Sequence, residues 1–213
     1  MIEHVYERVA RAGGIDRVVV LTDDERIARA VEGFGGAWEM TPADCASGTD
    51  RIAWAAQHWP DAAAVVNVQG DEPLIDPAAV SALARHLAEH PDDPLVTLAA
   101  EARADELDNP NAVKVVLSLA GYALYFSRSR IPYPRQAGAA APLKHLGIYG
   151  YQRDALLRLA GLAPTPLEQS ESLEQLRALE NGIPLRVLRV AQGSPGVDTQ
   201  EDLERVERLL RGD

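Results

Sequence analysis

The sequence predicts an α/β fold: a mostly parallel sheet with helices on both faces, carrying a β-hairpin and arm insertion in its second half. Three observations predict it. Short β-branched runs alternate with helix-period stripes through the first hundred or so residues, the pattern of strands buried on both sides by crossover helices. From Ala112 onward two strand-like runs flank a tight turn instead. Finally, 213 residues of which 46% are hydrophobic suffice for one domain with a sizeable core.

The elements follow in order. Ile2, Val5, Tyr6 and Val9 make the apolar stripe of a first helix, which Gly13-Gly14 stops. Arg17 to Leu21 is a short continuous strand. Thr22-Asp23-Asp24 can cap a helix with Ile27, Ala28 and Val31 inward, ending near Gly33. A further helix is expected from about Asp50 to Trp59, then a buried strand from Ala62 to Val68 that stops at Gln69-Gly70-Asp71-Glu72-Pro73. Asp76-Pro77 reads as a cap with proline at the first helical position, opening a helix to about Glu89. Leu95 to Ala99 is the next strand. Val113 to Ser118 and Tyr122 to Ser127 form the hairpin around Leu119-Ala120-Gly121, and Ile131 to Pro142 is a loop or interface arm. Leu146 to Tyr151 is a strand, Pro166 to Glu180 one helix closed by Asn181-Gly182, and Leu185 to Val190 a strand. Thr199 to Arg211 is a last helix with Asp202 at the capping-box position.

Charge narrows the function classes. Lys and Arg number 21 against 32 Asp and Glu, a net charge of −11. So acidic a surface repels phosphate polymers and anionic membranes, so no nucleic-acid or membrane partner is expected. An anionic ligand must be held locally, by placed cations, backbone amides or a metal. The lack of a long apolar run or secretory signal, and the single cysteine Cys45, lead to the expectation of a cytoplasmic protein without a disulfide framework.

Four segments can carry chemistry. Gln69, Asp71 and Glu72 follow a strand, where open α/β sheets bind ligands. They read either as a polar turn capping the next helix or as hard oxygen donors for a cation such as Mg²⁺. Asp198 reads either as the cap of the last helix or as a second carboxylate of that kind. Ser47-Gly48-Thr49-Asp50-Arg51 is a solvated turn or an anion-friendly helix start whose Arg51 can grip a carboxylate or phosphate. In Lys144 to Tyr151, alternation places His145, Gly147, Tyr149 and Tyr151 on one face, opposite Leu146 and Ile148. Such a polar face lines a pocket or meets solvent, because burying it unpaired is unfavourable. Glu171 and Gln175 share a helix face with Glu174 adjacent, ordinarily a wet face. His4, His58, His86 and His90 are assigned no role.

Together these strings resemble the 3-deoxy-manno-octulosonate (Kdo) cytidylyltransferases: SGTDR at 47–51, VNVQGDEP at 66–73, NPNAVKVV at 109–116, GYALYFSRSRIPYPR at 121–135, KHLGIYGY at 144–151, PLEQSESLEQLR at 166–177 and GVDT at 196–199. The resemblance covers essentially the whole chain and implies a nucleotide-diphospho-sugar transferase-like fold. It implies transfer of CMP from CTP to Kdo with release of pyrophosphate, for lipopolysaccharide biosynthesis. It also implies Mg²⁺ held by Asp71 and Asp198 and sugar contacts from Arg51, Gln69, His145, Tyr149, Glu174 and Gln175. Arg51 would pair with the sugar carboxylate, Ser47 would lie near the nucleotide, and the hairpin and arm would build a homodimer.

Two departures accompany the resemblance. The family opens with a strand and a PARxxSxRLPGKPL loop that grips the CTP phosphates, whereas here the helix expected after that loop begins at Ile2. The expectation is a single 1–213 cytidylyltransferase domain, amino-terminally truncated, with the hairpin and arm at about 112–142. Cys45 stands where a histidine commonly precedes the SGT turn. The alternatives are a cytidylyltransferase for another acidic sugar, such as sialic acid or an amino-Kdo, and a non-catalytic sugar-binding copy.

Overall fold

The computed structural model describes every residue except 46, 137, 139, 195, 198, 212 and 213. Helix α1 (Ile2–Ala10) leads through β1 (Val20–Thr22), α2 (Glu25–Gly33) and β2 (Trp38–Met40), a unit in which β1 and β2 pair in parallel. Next come α3 (Gly48–Gln57), β3 (Ala64–Asn67), α4 (Pro77–Glu89) and β4 (Leu95–Glu101). Strands β5 (Lys114–Leu117) and β6 (Ala123–Ser127) are the expected hairpin, with Gly121 at φ +83° in its turn. Then follow β7 (Leu143–Gln152), α5 (Arg153–Ala160), α6 (Pro166–Glu171), α7 (Gln175–Glu180), β8 (Leu185–Arg189) and α8 (Gln200–Arg211).

The α/β class expected from the sequence is present, but the main sheet is mixed rather than mostly parallel. Strand β7 runs antiparallel to β3, β4 and β5, and only β4 and β8 pair in parallel within that sheet. The cause is the long return through the hairpin. It brings the chain back into the middle of the sheet from the opposite end, so β7 enters between β4 on one side and β3 with β5 on the other.

Strand β4 shows the layering. Leu95 and Ala99 face a core shared with α3, α5 and α7, whereas Val96, Leu98 and Ala100 face one shared with α1 and α4. Both faces are therefore covered, which is why the strand has no polar alternation. Each fully buried leucine or phenylalanine here, such as Leu83, Leu185 or Phe126, contributes about 2 kcal/mol of apolar burial.

Local chemistry sets the boundaries. Asp76 accepts from the Ala78 amide at 2.9 Å and Pro77 opens α4. Asp24 caps α2 through the Arg26 amide at 2.7 Å. Thr199 and Asp202 close the expected box at the start of α8, with Thr199 donating to Asp202 at 2.7 Å. The single helix expected over 166–180 is two: α6 ends at Ser172, whose φ of +51° is left-handed, and the chain turns before α7.

Candidate functional site

A cavity of about 340 Å³ opens where four elements meet. The amino end of α3 supplies Gly48 and Thr49, and the carboxyl end of β3 supplies Asn67 and Gln69. Strand β7 supplies Gly147, Tyr149 and Tyr151, and the α6–α7 corner supplies Leu173, Glu174, Gln175 and Arg177. It lies at a strand end, as sheet topology predicts for ligand sites.

Each wall is fixed by specific bonds. The Thr49 hydroxyl donates to Glu174 Oε2 at 2.8 Å, tying α3 to the corner. Gln69 packs on Gly48, its amide 3.6 Å from where a side chain on that glycine would begin. Arg177 forks onto Glu168 at 2.8 and 2.5 Å, a largely buried pair. The left-handed Ser172 produces the corner, and Glu171 locks it to the hairpin by accepting from the Ser127 hydroxyl at 2.6 Å and the Arg128 amide at 2.9 Å. The wet helix face expected from Glu171, Glu174 and Gln175 is thus corrected: Glu171 ties down the hairpin, and Gln175 is buried at the cavity wall.

Strand β7, together with Phe126 of β6, carries a ladder of rings. Phe126 and His145 lie 4.9 Å apart, His145 and Tyr149 5.3 Å, and Tyr149 and Tyr151 5.9 Å. Burial pushes the His145 pKa down to about 3, so its ring is neutral. Burial also raises both phenols, reinforced at Tyr149 by Tyr151 and at both by Glu174. The cavity is therefore lined by neutral hydroxyl and amide groups beside Glu174 and the Arg177 guanidinium, which Glu168 pairs, a surface suited to a polyhydroxylated ligand.

Gln69, Tyr149, Glu174 and Gln175, expected from the sequence, stand together on this cavity. His145 stands behind Tyr149 rather than on the wall, 8% exposed. Ser47 caps α3, accepting from the Asp50 amide at 3.2 Å and donating to its carboxylate at 3.0 Å. Arg51 stands apart from the cavity lining, bonded to the Thr41 hydroxyl and to Asp23 at 3.1 Å. Sequence reasoning passed over Thr49 and Arg177. Alternation of buried and exposed positions across the α6–α7 corner would have exposed Arg177 only if the break at Ser172 had been foreseen.

Asp71 lies just beyond the cavity in the turn after β3. Its carbonyl accepts from the Val197 amide at 2.9 Å, and Glu72 accepts from the Ser194 hydroxyl at 3.1 Å. The loop leading to Asp198 is thereby stitched to the Asp71 turn, while Asp198 itself lies outside the described residues. No cluster of three metal-ligating side chains occurs among the described residues. The oxygen donors in this turn still suit Mg²⁺, which takes one or two protein carboxylates and completes its shell with water and phosphate. None of the described helices is long and apolar enough to cross a membrane.

Residues 1–189 match the family described as Cytidylyltransferase. The chain is 52% identical over 214 residues to the 3-deoxy-manno-octulosonate cytidylyltransferase of Myxococcus xanthus, spanning 99% of this chain and 86% of that protein. It is 47% identical over 210 residues to the protein of the same name from Escherichia coli, spanning 99% and 85%. Among solved structures, CMP:2-keto-3-deoxy-manno-octonic acid synthetase complexed with CTP superposes with a TM-score of 0.95 at 46% identity, over 99% of this chain and 87% of that one. The 4-diphosphocytidyl-2C-methyl-D-erythritol synthase of Anaerococcus prevotii shares the fold, with a TM-score of 0.61 at 14% identity over 99% and 85%.

Proposed function

The chain belongs to the cytidylyltransferase family and, within it, to the 3-deoxy-manno-octulosonate cytidylyltransferases, and from that membership we propose that it transfers CMP from CTP to Kdo. The anomeric hydroxyl oxygen of the sugar bonds to the α-phosphorus, the α–β phosphoanhydride breaks, pyrophosphate leaves, and the hydroxyl proton passes to solvent or a basic oxygen. The observation that carries the reading is the cavity rich in hydroxyl and amide groups, with Gln69, Tyr149, Glu174 and Gln175 on its wall and Gln69 two residues along the chain from Asp71.

In this reading Gln69, Gln175 and the protonated Tyr149 hydrogen-bond the sugar hydroxyls, and Glu174, steadied by Thr49, accepts from one of them. His145 acts through Tyr149, against which it packs. Arg51 holds Asp23 near the start of α2 and draws the β1–β2 unit toward α3, and Ser47 sets the start of α3 beside the nucleotide. Asp71 and Asp198 would hold Mg²⁺, which when bound supplies charge neutralisation at the phosphates. The chain's own contribution is to orient the sugar oxygen and exclude competing water.

The hairpin and arm leave Leu124, Tyr133 and Leu119 exposed, apolar surface suited to a second copy in a homodimer. Sedimentation yielding only monomer would remove that claim. The acidic, cysteine-poor composition suits the cytoplasm, and lipopolysaccharide assembly is the process that consumes the product. The decisive experiment measures pyrophosphate release by the natural protein with CTP and a panel of acidic sugars. Turnover is expected with Kdo; faster turnover with sialic acid, or none with Kdo, overturns the reading.

A further inference from the structure

Strands β4 and β7 slip against each other at one point. Thr97 pairs with Tyr149, but the next residue, Leu98, pairs with Leu146, leaving Gly147 and Ile148 bulged out of the ladder. On its other side β7 is paired with β3 up to Tyr149 and with β5 only at Leu143 and Lys144, so the bulge falls in the gap between those partners. Bulges re-aim side chains and recur beside functional sites. Here Gly147 opens onto the cavity, with nothing within 4 Å of where a side chain would start, and Tyr149 follows it on the same wall.

The Thr97 side chain sits under this bulge, 0% exposed. Its hydroxyl lies 2.8 Å from the Ile148 carbonyl and 3.2 Å from the Leu146 carbonyl, the two flanking Gly147. A hydroxyl has one proton. With that proton directed at the carbonyls, the His145 Nε2 at 2.9 Å must be the donor to Thr97. His145 in turn packs its ring on Tyr149. One buried hydroxyl therefore fixes the bulged backbone and, through His145, the ring of Tyr149.

We propose that Thr97 is a positioning residue for the sugar, its hydroxyl holding the β7 bulge that presents Gly147 and Tyr149 to the cavity. Thr97 touches no substrate itself. The inference rests on the cavity being the sugar site, as proposed above.

The test replaces the hydroxyl with a methyl of the same shape, Thr97→Val, beside Thr97→Ser, which keeps the hydroxyl. With the natural protein turning over CTP and Kdo, Thr97→Val should raise KM for Kdo about tenfold, the loss of one or two buried hydrogen bonds' worth of alignment, with KM for CTP unchanged and Thr97→Ser near natural. An unchanged KM for Kdo, or an equal fall in every parameter that Thr97→Ser does not rescue, overturns it. Should the natural protein not use Kdo, the proposed function fails separately, and crystal structures of the two variants judge this inference. A displaced Gly147–Ile148 bulge in Thr97→Val alone supports it, and an unmoved bulge overturns it. If Thr97→Val does not fold, Thr97→Cys, with its weaker donor, carries the same readings.

Discussion

Thr49 and Glu174 meet through a 2.8 Å hydrogen bond although 125 residues separate them. That bond joins the first turn of α3 to the α6–α7 corner and closes one wall of the cavity. Thr49→Val removes the donor while keeping the volume. It is expected to lower stability by about 1 kcal/mol and to raise KM for the sugar more than it lowers kcat. Thermal melts and steady-state kinetics on one preparation check both, and a pure kcat effect would contradict the assignment.

Gly147→Ala tests the cavity by filling it. The new methyl meets no protein atom within 4 Å, so the melting temperature should stay put. It does project into the space proposed for the sugar, so KM for Kdo should rise by about an order of magnitude or more. Unaltered sugar kinetics would place the sugar elsewhere.

Asp71→Asn and Asp198→Asn should each reduce turnover at least about a hundredfold, since even partners behind a metal ligand are worth ten- to a hundredfold. Stability should change less than turnover, since the Asp71 carbonyl that accepts from the Val197 amide is retained by asparagine. Kinetics at rising Mg²⁺ concentration check the assignment, and natural rates in either variant would refute it.

Acid should act through His145. Its folded pKa of about 3 lies below the ordinary 6.5, so between these values the unfolded chain binds a proton that the folded chain refuses. The stability from this group is complete above pH 6.5 and drains away as pH falls toward 3. Falling from neutrality to about pH 4.5 should remove about 2 to 3 kcal/mol through this group. His145→Gln, which keeps a donor toward Thr97, should show a flatter acid limb in denaturation, and an identical slope would refute this account.

Much of the architecture was legible because capping chemistry is local. Asp76-Pro77 predicted the start of α4, and Thr199 with Asp202 that of α8. Alternation along residues 145 to 151 likewise put Gly147, Tyr149 and Tyr151 on one face, the face that lines the cavity. What escaped was set by tertiary context. Strand β2 has three residues, too few for periodicity to register. Helix α5 follows β7 with no glycine or proline between them, so nothing punctuates its start. The break at Ser172 interrupts an apolar stripe that continues through Leu173, Leu176 and Leu179, and it exists because Glu171 is held by the hairpin. The mixed sheet direction was hidden for the same reason: strand orientation depends on where the long hairpin excursion returns. For the site, the family resemblance named Gln69, Tyr149, Glu174 and Gln175, but the ring stack that removes His145 from the wall is visible only in three dimensions.

Strand β7 is hydrogen-bonded to β3, β4 and β5 at once, and it is also the strand that supplies the cavity with Gly147, Tyr149 and Tyr151. A partly assembled chain therefore has no pocket to offer. Occupancy of the pocket is coupled to the cooperative unfolding of the whole sheet, and a saturating ligand registers as a rise in global melting temperature rather than as slowed amide exchange in a peripheral loop.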